Sequence, residues 1–360
     1  MQALSLLIFS RNDTANALDL AKSMLNTVDQ VVVIDSSDKE EHKKLIEKSS
    51  QNHKIEVYYT VPMGMTEPIR YYAFTKCKNE WVLLLDTDER LSSKFVDDIK
   101  GVINNAKCTA FAIKRYEEST ATAHTQFFTW QTRLFMKDRV LFKGMIHEQP
   151  VVHGRLCTLD DKYFIAHRTD LMHHEKNDYN KMMLFEMLSY DEYRNVMADY
   201  TRKFFALDTN SAKGKFVIGI TKALLGFYAK ITLKKPGSEI RRSDYLWFYF
   251  LRSIAYAYRH RSIGSISRIW KDQVSYLNFI EGERDKACNE FGITRKDLFE
   301  ISKKLNEVGV IKYLGLDNPE NVDKLTKEYL EGRIKDKGIG LTIRLIMEKY
   351  KIRNKKFAGQ

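Results

Sequence analysis

Two unbroken apolar runs constrain this chain most: VVVI at 31–34 and WVLLL at 81–85, each stopping on an aspartate. A strand with one wet face alternates apolar and polar residues, so runs without alternation suit strands covered on both faces, as in a parallel sheet between helix layers. LSLLIF (4–9) and KIEVYYTV (54–61) supply two further strands. Helical stretches separate them: DTANALDLAKSML, where Asp13 or Thr14 can cap an amphipathic helix, a polar segment after Asp38, and a helix from about Pro68 to Lys78. Four alternations of strand and helix predict a doubly wound α/β sheet, whose ligands lie beyond the carboxyl ends of its strands.

That edge is acidic. Asp35 ends one run, and Asp86, Asp88 and Glu89 follow the other within four positions. Acids just past a buried strand do little for packing. They can hold a hard cation that bridges phosphate oxygens, or they can cap the next helix; the Asp86–Asp88 spacing alone leaves both uses open.

The larger pattern is more specific. A strand turning on Ser10, Arg11 and Asn12, then VVVIDSS, WVLLLDTDERLS, TRLFMKDRVLFKGMIHEQPVVHG and YFIAHRTDLMHHEKNDYNKMM occur in that order over the first half of the chain. Together they resemble the family-2 glycosyltransferases of GT-A fold, in particular the branch of lipopolysaccharide-core glucosyltransferases. The resemblance implies an α/β, Rossmann-like nucleotide-sugar-binding domain, and the residues after it read as a mostly helical C-terminal region. It also implies an inverting transfer from a nucleotide-sugar donor to an acceptor hydroxyl. Position by position it implies that Ser10, Arg11 and Asp35 meet the nucleotide, that Asp86 and Asp88 contact the sugar-ribose part and a Mg²⁺ or Mn²⁺ ion on the diphosphate, and that Arg133 lies near the phosphates. The stretch IDSSDKEE departs from the family's glycine-richer turn at Ser36 and Ser37.

The chemistry needs these residue types. A nucleoside diphosphate leaves more readily once a divalent cation spreads its charge, and displacement at the anomeric carbon needs a base for the acceptor's proton. Glu148, in GMIHEQP, is the candidate base, with His147 beside it in support and Asp160 or Asp161 next in line. His167, closing YFIAH, is either a metal ligand or a hydrogen-bonded structural histidine; with His173 and His174 it would also suit zinc, but no cysteine pairing or HExxH spacing accompanies them.

Charge divides the chain. Residues 1–200 hold 26 basic and 29 acidic side chains, and residues 201–360 hold 33 and 18, so the second part is strongly cationic. The aromatic, basic stretches 213–235 and 244–261 are too short or too charged for confident spans and suit interfacial helices on anionic lipid, or a helical core with solvated basic residues. The boundaries expected are 1–200 for the catalytic domain, 201–280 for this aromatic region and 281–360 for a helical end. Four scattered cysteines imply neither a zinc site nor a disulfide framework, and with no leader signal they fit a reducing cytoplasm. The expected protein is a cytoplasmic enzyme held peripherally at the membrane, acting on a lipid-linked or polysaccharide acceptor. A nucleotidyltransferase of similar α/β fold and a nucleic-acid binder using the basic half are the competing classes; the second has no RNP or zinc-finger signature.

Overall fold

The apolar runs are all strands in the computed structural model, which describes residues 2–118, 128–142, 150–168, 282, 285, 286, 288, 289 and 292–357. β1 (Leu4–Ser10), β2 (Gln30–Asp35), β3 (Ile55–Tyr59) and β4 (Trp81–Asp86) lie parallel in the order β3-β2-β1-β4. α1 (Thr14–Met24) follows β1, α2 (Lys39–Ser49) follows β2, and a single 3-10 turn (Glu67–Ile69) leads into α3 (Arg70–Lys76) before β4. Asp13 stands at the N-cap of α1, but its carboxylate accepts from Asn16 Nδ2 and makes no cap bond.

Past β4 the sheet becomes mixed. β5 (Glu89–Leu91) leads into α4 (Ser93–Asn104), which buries Phe95, Ile99 and Ile103 as one stripe on the central core. β6 (Ala110–Glu118) and β7 (Phe128–Met136) pair antiparallel, and β7 runs antiparallel to β4, which joins the halves. β8 (Val140–Leu141) and β9 (Val151–Val152) form a small ribbon; β10 (Leu156–Thr158) and β11 (Phe164–Arg168) both add parallel to β6. The full path is β3-β2-β1-β4-β7-β6-β11-β5 with β10 beside β6, an α/β arrangement as expected. The core runs through the middle: Leu6, Ile8, Val31, Val33, Trp81, Leu83, Leu85, Phe111, Ile113 and Leu134 are buried under α1 and α4.

The chain divides into two compact units, Met1–Tyr179 with Val308–Gln360, and Asn180–Glu307, which differs from boundaries drawn near 200 and 280. The first unit ends in α6 (Val310–Leu314), α7 (Pro319–Leu330, capped by Asn318 Oδ1 on Glu320 N) and α8 (Ile339–Phe357). α6 packs on the turn Glu67–Ile69 and α7 on α3. In the second unit the helix α5 (Arg295–Val308) buries Leu298, Ile301 and Leu305 at helical spacing. The aromatic stretches 213–235 and 244–261 lie outside the described residues. Among the described residues no helix is long and apolar enough to cross a membrane.

One expectation is corrected. Cys108 and Cys157 form a disulfide, their Cα atoms 6.0 Å apart. They are 49 residues apart in the chain, and only the pairing of β10 with β6 brings them together. Cys77 and Cys288 take no part in this bridge and are buried.

Candidate active site

Register assembles the acidic edge. Ser10 pairs with Asp35 across β1 and β2, and Phe9 pairs with Asp86 across β1 and β4, so Ser10, Asp35 and Asp86 end three adjacent parallel strands side by side. The turn after β1 is pinned to the one after β2. Asn12, at φ 52°, donates its backbone N–H to Ser37 Oγ at 2.7 Å, and its Oδ1 accepts from Asp38 N at 2.9 Å. Asparagine tolerates this left-handed conformation better than most residues do. Arg11 lies beside it, partly exposed.

Asp35 is fully buried and well partnered. Its Oδ1 accepts from Ser37 N (3.3 Å) and Ser37 Oγ (2.5 Å), and its Oδ2 lies 2.6 Å from His42 Nδ1. His42 in turn lies against the Tyr59 ring, centroids 4.6 Å apart. Asp35 thereby ties β2 to the first turn of α2.

The three acids after β4 have three different partners. Asp86, whose side chain is 45% exposed, accepts from Arg133 Nη2 at 2.5 Å. Burial pushes its carboxyl upward, but the Arg133 charge and hydrogen bond, with Arg115 and Arg70 nearby, hold it below its ordinary value. Glu89 is completely buried: Oε1 accepts from Arg115 Nε at 2.8 Å and Arg133 Nη2 at 3.1 Å, and Oε2 from Asp86 N at 3.0 Å. Burial, reinforced by the Asp86 charge and opposed by Arg133, raises its carboxyl. Arg133 loses basicity to burial and regains more from Asp86 and Glu89, so its guanidinium is raised. A buried charge is tolerated when its partners are this close. Arg133, expected near the phosphates, has Nη2 committed to these two carboxylates.

Asp88 is placed differently. Its Oδ2 lies 3.2 Å from His167 Nε2, and its backbone O accepts from Arg168 N at 2.8 Å. His167 arrives there because β11 pairs antiparallel with β5, setting it opposite Glu89. Neither Asp86 nor Asp88 caps the following helix, where Ser92 occupies the N-cap position. Asp88 Oδ2 and His167 Nε2 thus lie within hydrogen-bond distance of each other, and both are residue types that can ligate a divalent cation. Among the described residues no cluster of three or more His, Cys, Asp or Glu could hold a metal alone, so further positions would fall to ligand or water. Glu148, His147, His173 and His174 lie outside the described residues. Asp161 pairs with Lys114 at 2.5 Å, and Asp160 Oδ1 accepts from Lys162 N.

Sequence reasoning missed Arg70. It opens α3, is 6% exposed, and sits 4.3 Å over the Phe142 ring. Its Nη2 donates to Glu67 Oε1 at 3.0 Å, but Nε and Nη1 have no hydrogen-bond partner among the described residues. The same holds for Ser10 Oγ and for Thr60 Oγ1, one residue beyond β3. Buried polar atoms are ordinarily satisfied, and these atoms near the carboxyl edge are not. The only local signal was a charge inside the apolar stretch PIRYYAF.

A parallel α/β half-sheet and an Asp–His pair beyond its strand ends make up the candidate site. No family model matches the chain. Part of it is similar to proteins described as uncharacterized glycosyltransferases: 31% identity over 114 residues with one from Rickettsia bellii, and 26% over 117 residues with one from Rickettsia felis. Those segments are 31% and 32% of this chain and only 37% and 40% of the relatives' lengths. Among solved structures, residues 1–349 of S. aureus TarS in complex with UDP-GlcNAc align with 79% of this chain and 92% of that one, at 15% identity and a TM-score of 0.41.

Proposed function

We propose that the chain is a glycosyltransferase that moves a sugar, with inversion, from a nucleotide-activated donor to a hydroxyl of a lipid-linked or cell-surface glycan. The observation that supports this most is the convergence of Asp88 Oδ2 and His167 Nε2, 3.2 Å apart, on the edge where Ser10, Asp35 and Asp86 also end. Asp88 and His167 would hold Mg²⁺ or Mn²⁺, which when bound spreads the charge of a diphosphate leaving group. Arg70 would give its unpartnered N–H groups to diphosphate or hydroxyl oxygens, the donors an arginine fork offers such anions. Asp86, tethered by Arg133, keeps an accessible carboxylate for the hydroxyls of ribose or sugar.

Ser10 and Arg11 would line the nucleoside side. Asp35, buried with Ser37 and His42 on its carboxylate, would fix the turn beside which the nucleoside rests. Glu148 would take the acceptor's proton from the face opposite the diphosphate, and Glu148→Gln would then lower transfer by about 10²–10⁴-fold with donor binding retained. The cationic part, residues 201–360, supports peripheral contact with an anionic membrane. Release from acidic vesicles by salt, with no retention on neutral ones, checks that contact.

The test of the activity is turnover of a panel of nucleotide sugars with Mg²⁺ or Mn²⁺ and then with chelator. Release of nucleoside diphosphate from at least one donor, abolished by chelator, is expected. Equal release in chelator removes the cation from the account, and no release from any donor removes the transferase.

A further inference from the structure

The loop from Thr60 to Ile69 has both ends at the candidate site. It starts where Thr60 N donates to Asp35 O at 2.8 Å and ends next to Arg70. Its middle, however, is satisfied from the far end of the chain. Val61 N donates to Thr326 Oγ1 (3.1 Å), Pro62 O accepts from Gly338 N (2.7 Å), and Met63 O accepts from Thr342 Oγ1 (2.7 Å). Gly64, at φ 79°, lets residues 338 and 339 come so close that a Cβ there would lie 2.6 Å from Gly338 C and nearer still to Ile339 N. Val61, Met63, Thr342 and Ile339 are all buried, and Lys337 reaches the next loop at Asp38, 3.4 Å away. On α3 the Tyr72 hydroxyl is raised by burial and by a charge and hydrogen bond from Asp323 of α7.

We infer that the C-terminal helices, through Thr342, Thr326 and the close approach at Gly64, are the positioning element of the donor site, holding the 60–69 loop so that Arg70 and Thr60 present their open polar atoms. Buried backbone groups need partners, and Val61 N, Pro62 O and Met63 O draw theirs from residues 326–342. Residues 308–360 therefore belong to the donor site rather than to a separate C-terminal module. Thr342 and Thr326 act through the loop and touch no substrate. This inference rests on the nucleotide-donor reading above.

The experiment uses the full chain and the variants Thr342→Val, which keeps the shape and loses the hydroxyl, and Thr342→Ser, which keeps the hydroxyl. Ile103→Val, in the core under α4, controls for a general loss of stability. Nucleoside diphosphate affinity and the donor KM and kcat are measured well below each variant's melting temperature. Thr342→Val should weaken nucleotide binding and raise KM by about tenfold, the scale of one buried hydrogen bond, with kcat unchanged. Thr342→Ser should return both to near wild type, and Ile103→Val should move neither. Wild-type affinity in folded Thr342→Val, or no recovery in Thr342→Ser, overturns the inference. If wild type itself binds no nucleoside diphosphate, the donor reading fails separately. Amide exchange at Val61 and at residues 63–66 then decides: faster exchange in Thr342→Val than in Ile103→Val keeps the positioning role, and equal exchange ends it.

Discussion

The two acidic corners of the sheet edge use the same side chain for opposite purposes. At the end of β2, Asp35 is wholly buried and meets Ser37 and His42 through three contacts. Beyond β4, Asp88 is partly exposed and its carboxylate has His167 beside it at 3.2 Å. The first corner is scaffold that fixes where two loops leave the sheet; the second is the one proposed to take a ligand. Glu89, one residue after Asp88, belongs with the scaffold, since Arg115 and Arg133 neutralise it inside the core. Position at a strand end therefore does not tell a structural acid from a functional one. Partners do.

Mutations should separate the corners sharply. Glu89→Ala takes a wholly buried carboxylate away from Arg115 and Arg133, and the loss of stability should be the largest, about 3–5 kcal/mol as for one partner removed from a buried ion pair; chemical denaturation reads it. Asp88→Ala should cost donor turnover at least about 10²-fold, because even outer-shell partners of metal ligands cost 10–100-fold, while its melting temperature stays near wild type. Unchanged stability in Glu89→Ala, or unfolding in Asp88→Ala, would reverse the assignment. Asp35→Ala should fall between, destabilising by about 1–3 kcal/mol as hydrogen-bond partners at Ser37 and His42 lose their acceptor.

Acid should act on the scaffold first. Asp29 and Glu56 are held below their ordinary values: burial works against them, but Lys100 and Leu4 N on Asp29, and Lys78, Tyr58 and Gln30 on Glu56, more than offset it. Asp86 is lowered likewise by Arg133. A carboxyl lowered in the folded state contributes stability that is complete above its unfolded value, about 4, and is lost as pH falls through the folded one. Glu89, raised, has the opposite sign and softens the loss. Melting temperature should thus be flat near neutrality and decline below about pH 4, and Asp29→Asn should flatten that decline. The smallest effect concerns thiols. Burial pushes Cys77 up to about 12, and Cys108 is joined to Cys157, so native protein should react slowly with thiol reagents until denatured.

The parallel half was legible because its information is local. LSLLIF, VVVID and WVLLLD each declare a covered strand by their largely apolar character, IEVYY forms the half-exposed edge strand, and the observed strands begin and end within a residue or two of those runs. The sequence leaves His167 open between metal ligand and structural histidine, and its approach to Asp88, 79 positions away, has no periodicity behind it. Other features had no local signal. Nothing in the sequence says where Glu89 faces until Arg115 and Arg133 arrive on β6 and β7. Cys108 and Cys157 look isolated until β10 joins β6. The polar C-terminal helices read as a separate region, yet they supply the buried partners of Val61, Pro62 and Met63. Contacts that depend on tertiary closure leave no trace in spacing.

The central claim is that Asp88 and His167 form the ligand end of a nucleotide site, and calorimetric titration of nucleoside diphosphates into wild type and Asp88→Ala tests it most directly. With Mn²⁺ present, wild type should bind at least one nucleoside diphosphate, and either chelator or Asp88→Ala should weaken that binding by about tenfold or more. Equal affinity in chelator and in Asp88→Ala, or no binding of any nucleoside diphosphate by the folded wild-type chain, would contradict it.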